Sequence, residues 1–140
     1  MTERRDLPAE YRQFLLAFAR GEYWASHELL EQAWRRTGSE YYHGLILLAS
    51  AFVHVERRNV HGVGAQLDKA ITSLSGYRPH YLGLDVGRLV DLLIQVRSIL
   101  DDAAAGEPDR WASWASSIEA PPLQVEDRLI RGTEPEMRSA

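Results

Sequence analysis

The sequence predicts an all-α protein: a compact bundle of about five helices, with a central buried helix and an extended C-terminal arm. Three observations predict it. Apolar residues recur every three or four positions, and no segment shows the strict alternation of a half-buried strand. Capping residues and glycines stand where these periodic stretches begin and end. Residues 45–55 are apolar on nearly every side, interrupted only by Ser50 and His54, and a helix of that kind belongs in the middle of a bundle.

The first helix opens around Asp6 to Pro8, where proline is tolerated, and stops at Gly21. Tyr11, Phe14, Leu15 and Phe18 form its apolar stripe. The second covers roughly 22–37 and ends at Gly38; Ser39 then caps a third that runs to about Arg58. Asn59 caps a fourth, through Leu67, Ala70 and Leu74 to Gly76. Gly62 and Gly64 in its first turns cost about 1 kcal/mol each relative to alanine, so close helix packing is the expected compensation. Residues 76–84, with Pro79, read as a loop. Asp85 caps a fifth helix ending near Gly106, with Leu84 and Leu89 placed as a hydrophobic staple. Beyond it, Trp111 and Trp114 suit a short amphipathic turn packed on the bundle. Pro121-Pro122 breaks any helix, and 131–140 is polar enough to fray. The organisation is therefore one helical domain over 1–120 and an extended or flexible tail over 121–140.

Composition narrows the function classes. The net charge of −4 argues against nucleic acid, whose phosphates need a basic face. All of the 16 basic residues except Lys69 are arginine. With no cysteine, disulfides and thiolate metal sites are excluded, leaving His, Asp and Glu as ligands. The N-terminus has no apolar stretch behind its charges, and the longest apolar run, 44–55, is too short to span a bilayer. A cytoplasmic protein is the expectation.

The richest segment is Trp24-Ala-Ser-His-Glu-Leu-Leu-Glu-Gln-Ala-Trp34. At about 100° per residue it places His27 in an arc with Tyr23, Trp24, Leu30, Glu31 and Trp34. An imidazole and a carboxylate one turn apart on an apolar stripe need partners, because unpaired polar groups are costly to bury. On the third helix, His43, Leu47, Ser50 and His54 share a stripe within about 40°. Antiparallel packing through the short Gly38-Ser39 link brings that stripe toward the second helix.

Two readings follow. In the first, His27, Glu31 and His54 hold a divalent metal (zinc, manganese or iron). Glu28 then acts as base or orients a ligand, and Trp24 and Trp34 wall the pocket. His61, in the first turn of the fourth helix, can approach the same cluster. In the second, the same groups are a buried hydrogen-bonded network, with Arg57 or Arg58 able to pair with Glu28 or Glu31. That network would fix helix register in a non-catalytic interaction module. The surplus of aromatics (Tyr23, Tyr41, Tyr42, Trp111, Trp114) makes it a homodimer. His43 reads as a surface or core histidine, and His80 has no evident partner. Ser26 points to another face than His27, which argues against a serine nucleophile.

Several blocks carry a resemblance. Gly21-Glu-Tyr-Trp-Ala-Ser-His-Glu-Leu-Leu-Glu-Gln-Ala-Trp34 is followed by His43-Gly-Leu-Ile, by Ala49-Ser-Ala-Phe-Val-His54 and by Asn59-Val-His-Gly-Val-Gly-Ala65. Together they resemble domain-of-unknown-function family 309 over roughly residues 11–76, and Gly83-Leu-Asp-Val86 is similar to the start of that family's last helix. The resemblance implies a small all-helical bundle and places the family's polar signature on His27, Glu28, Glu31, Trp34, His54 and Asn59. Members are often labelled predicted metal-dependent hydrolases, so a small-molecule substrate and a divalent metal are what the resemblance implies. Leu47 departs from the pattern, where the family usually carries glutamine.

Overall fold

The computed structural model describes residues 7–104, 115, 118–130 and 134. Five helices follow one another: α1 Ala9–Ala19, α2 Tyr23–Thr37, α3 Glu40–Glu56, α4 Val60–Ser75 and α5 Val86–Ala104. There is no strand among the described residues, only a bridge between Tyr81 and Leu84. The all-α bundle expected from periodicity is what forms. Trp111 and Trp114 lie outside the described residues, as does most of 131–140.

Local chemistry accounts for the boundaries. Gly21 and Gly38 end α1 and α2 with φ of 76° and 67°, a left-handed turn that a side chain resists. The Ser39 hydroxyl accepts from Tyr42 N at 3.2 Å, and Asn59 Oδ1 accepts from Gly62 N at 3.0 Å. Asp85 Oδ1 likewise accepts from Arg88 N at 3.0 Å in the first turn of α5. Each side chain satisfies an amide that the helix itself leaves without a partner.

Helix α3 is the central element. Of its 17 residues, 11 are buried, from Tyr41 and Tyr42 through Leu45, Leu48 and Phe52 to Val53. It packs against α2 on one side and α4 on the other, while α1 lies on α2 and α5 on α4. Glycine makes the α3–α4 approach possible. A Cβ on Gly62 would fall 2.6 Å from His54 Nδ1, and one on Gly44 would fall 2.8 Å from the Leu74 side chain. The compensation expected for the bare backbone of α4 is therefore an imidazole seated on it. No helix is long and apolar enough to cross a membrane among the described residues.

Among the described residues after 117 there is no helix except a 3-10 turn at Asp127–Leu129, and they meet the bundle at two places. At the first, Glu126 N donates to Gly83 O at 2.8 Å and Gly83 N donates to Leu129 O at 3.2 Å. Gly83 has φ 86°, and a Cβ there would meet Val125 at 2.5 Å, so both conformation and space demand glycine. Leu123, Leu129 and Ile130 are buried beside it.

At the second place Glu134 is 5% exposed. Its carboxylate accepts from the Ser39 hydroxyl and, at 2.9 Å, from the Tyr81 hydroxyl. The Ser39 hydroxyl thus accepts from a backbone amide at the head of α3 and donates its own hydrogen bond to Glu134. Around them lies a cluster of rings. Tyr41 packs 4.6 Å from Tyr81 and 5.2 Å from Tyr77, and the Tyr11 hydroxyl lies 2.9 Å from that of Tyr41 while donating to Leu82 O. Burial pushes the Tyr11 and Tyr41 phenols well above their ordinary range, and the Glu134 charge adds to the shift. Of the stretch 131–140, expected to fray, Glu134 alone is among the described residues, and it accepts from these two hydroxyls.

Candidate metal centre

The sequence of α2 sets the centre by itself. One turn of helix separates His27 from Glu31, which puts both on one face. The His27 Nδ1 atom lies 3.4 Å from Glu31 Oε2 and 3.7 Å from Glu28 Oε1. His27, Glu28 and Glu31 each present a potential ligand atom within 4.8 Å of the other two. Arg35 pairs with the remaining oxygen of Glu31 from the next turn, on the solvent side.

The decisive feature is Nδ1 itself. It is shielded from solvent and makes no hydrogen bond. Both carboxylates are in reach of a charge–charge contact, yet neither meets the usual N–H···O range of about 2.7–3.2 Å. Three other buried side-chain atoms lack partners, on Glu10, Gln66 and His80. Of the four, Nδ1 of His27 is the one inside the ligand group. A divalent cation fits that need. Zinc-type ligands stand ~2.0–2.2 Å from the ion, so tetrahedral neighbours stand roughly 3.3–3.6 Å from each other. The His27–Glu31 separation falls within that range and the His27–Glu28 separation lies just above it.

The indole of Trp24 closes one side. It stacks on the His27 ring with centroids 5.1 Å apart and planes within 5°. Trp24 is 55% exposed, and the Arg57 guanidinium sits 5.7 Å from its ring centre. Arg57 was an expected partner for Glu28 or Glu31. Arg35 has that role toward Glu31, and Arg57 meets the indole instead.

The remaining sequence candidates lie elsewhere. His54 does not join the ligand group. Its Nδ1 faces the Asn59 amide nitrogen at 3.3 Å, and its ring covers Gly62. Helix register explains this. Trp34 stacks on His43 at 4.5 Å and Tyr23 meets Phe52 at 5.5 Å, so the residue of α3 level with His27 is close to Ser50. His54 stands about one turn further on. Trp34, expected as a pocket wall, lies parallel to His43 within 5°. Asn59 serves as the cap of α4 and as a partner of His54. His61 is exposed. No local pattern singles out Glu134 or the rings of Tyr11, Tyr41, Tyr77 and Tyr81 as one cluster, since their contacts span up to 95 residues.

Among comparisons with known proteins, no curated protein and no solved structure matches this chain. A family model does match, over residues 11–65, and it is described as a domain of unknown function, DUF309. That stretch holds α1, α2, α3 and the first turns of α4, and with them His27, Glu28 and Glu31. The segment that builds the centre therefore lies within the stretch that is similar to the DUF309 family model.

Proposed function

We propose that the protein is a divalent-metal-binding hydrolase whose centre lies on α2. His27 and Glu31 hold the ion through Nδ1 and Oε2, and Glu28 completes the protein's share of the ligand set or accepts protons beside it. The observation that carries this reading is the buried, partnerless Nδ1 of His27 between two carboxylates. A bound divalent ion supplies Lewis acidity toward a carbonyl or phosphoryl oxygen. The chain's own groups supply the rest. Glu28 has a side chain 56% exposed, open to solvent and substrate, and is the carboxylate free to take up and release a proton. Glu31, 23% exposed and tied to Arg35, is held still and suits a ligand. Trp24 offers an exposed aromatic face at the rim.

Two further observations set this against a merely structural network. A self-satisfied network would show a hydrogen bond at the buried Nδ1 of His27, and none forms there. His54, the across-helix partner such a network would use, is occupied with Asn59. The test is metal analysis of protein purified without an affinity tag, beside His27→Ala and Glu31→Gln. One equivalent of metal in the wild type, lost in both variants, is the expected result. Wild-type protein that stays metal-free after incubation with zinc, manganese or iron overturns the reading. Chromogenic phosphoesters and carboxyl esters then decide the hydrolase part.

A homodimer is the second reading. It draws on the exposure of Leu16, Trp24, Ile94 and Ile99, at 58, 55, 50 and 41%. A monomer mass by light scattering removes it.

A further inference from the structure

Resting on the metal reading above, we infer that Trp24 is the positioning residue of the centre. Its indole fixes the plane of the His27 ring, in which Nδ1 faces the two carboxylates. The geometry is specific. Trp24 precedes His27 by three residues on α2, the spacing at which two side chains meet on one helix face. The rings lie parallel within 5° at 5.1 Å, an offset stack. Imidazole has two ring orientations of similar cost about its last torsion, and the flip between them puts a carbon, Cδ2, where Nδ1 stood. The orientation found under the indole turns Nδ1 inward, where it is shielded from solvent and faces Glu31 and Glu28. No hydrogen bond holds Nδ1 there, so the stack fixes the plane of the ring while the two carboxylates face its nitrogen.

Arg57 extends the device. Its guanidinium lies over the same indole from the residue that ends α3. The turn between α3 and α4 thereby bears on a side chain of α2. This would explain why so large an apolar ring stands more than half exposed without being buried elsewhere. The indole is held from one side by imidazole contact and by a cation, an arrangement of the cation–π kind.

Two measurements on the full-length protein test the inference. The first uses no metal. Ring currents of a stacked indole move the His27 ring-proton resonances upfield, and Trp24→Ala returns them to ordinary imidazole values while Trp24→Phe keeps part of the shift. Wild-type His27 resonances already at ordinary values overturn the inference, whatever the metal result. The second is zinc titration of ¹⁵N-labelled protein. The Nδ1 resonance of His27 changes on binding and Nε2 keeps its proton; a change at Nε2 instead also overturns it. By calorimetry Trp24→Ala weakens zinc binding roughly tenfold, the scale of losing a group that orients a ligand, while Trp24→Phe stays within roughly threefold of wild type. Equal zinc affinity in wild type and Trp24→Ala would show that the indole positions nothing. Absence of zinc binding in the wild type, with the upfield shift intact, counts against the metal reading and leaves the stacking role standing.

Discussion

Replacing Glu134 by alanine tests whether the C-terminal arm is part of the folded unit. The change removes the acceptor of two hydroxyl donors, Ser39 and Tyr81. Hydrogen bonds to a charged group contribute ~1.5–3 kcal/mol each, because folding exchanges them for bonds to water. Tyr81 is half-buried and recovers a water molecule after the substitution, so its loss lies at the low end. Ser39 is 8% exposed and recovers little. Release of the tail from an ordered state offsets part of the sum, through chain entropy of about 1–2 kcal/mol per residue freed. The expected net loss is about 2–3 kcal/mol, which in a domain of this size lowers Tm by roughly 6–10 °C. Glu134→Gln keeps the shape and one acceptor oxygen and costs about half as much. Chemical denaturation with a Ser39→Ala double-mutant cycle isolates the contact. Ser39→Ala alone forfeits about 1 kcal/mol as the lost cap of α3, and a coupling of at least about 1 kcal/mol should remain for the pair. An additive cycle, or a Glu134→Ala protein as stable as wild type, refutes the docked-arm reasoning.

The close approach of His54 to α4 yields another test. Gly62→Ala drives a methyl into the imidazole and destabilises the protein by about 1–3 kcal/mol despite alanine's better helix propensity. His54→Ala in the same chain relieves the clash, so the double variant melts above the sum of the single losses. Alkaline pH supplies a third. Burial raises the Tyr11 and Tyr41 phenols above the ordinary phenol range of about 10, so the unfolded chain ionises first. Stability is then fully present below about pH 10 and falls above it by up to about 1.4 kcal/mol per pH unit for each phenol. Thermal melts from pH 9 to 12, followed with tyrosinate absorbance, check this. Phenols that titrate near pH 10 without loss of helix contradict it.

What was legible in the sequence was what is decided within a few residues. Ser39 and Asn59 cap their helices as their types suggest, and Gly38 turns left-handed where the apolar period of α2 ends. The grouping of His27 with Glu28 and Glu31 was legible for the same reason, since one helix fixes it. The third expected ligand needed more. His54 required the register between two helices, and an error of one turn there moves a side chain about 5 Å. The Trp34–His43 and Tyr23–Phe52 stacks set that register, and no pattern in either helix announces it. Glu134 and its tyrosines were out of reach entirely, because Glu134 and Ser39 are 95 residues apart and neither stands in a periodic segment.

The two polar centres lie toward opposite ends of α2, and the contrast between them bears on function. At the C-terminal end, the fold brings a carboxylate from a distant segment and gives it two hydroxyl donors. Polar groups buried at a structural site are satisfied in this way, because each one left short costs about 1–3 kcal/mol. At the N-terminal end, an imidazole stands beside two carboxylates, one on the next residue and one a turn away, at 3.7 and 3.4 Å. It is held parallel to an indole with Nδ1 short of both. A cluster serving only to lock helices together gains from closing such hydrogen bonds, and this one leaves Nδ1 without any. A ring held in this way leaves room for something between nitrogen and oxygen, and with no thiolate in the chain a divalent cation is the species that those donors would hold.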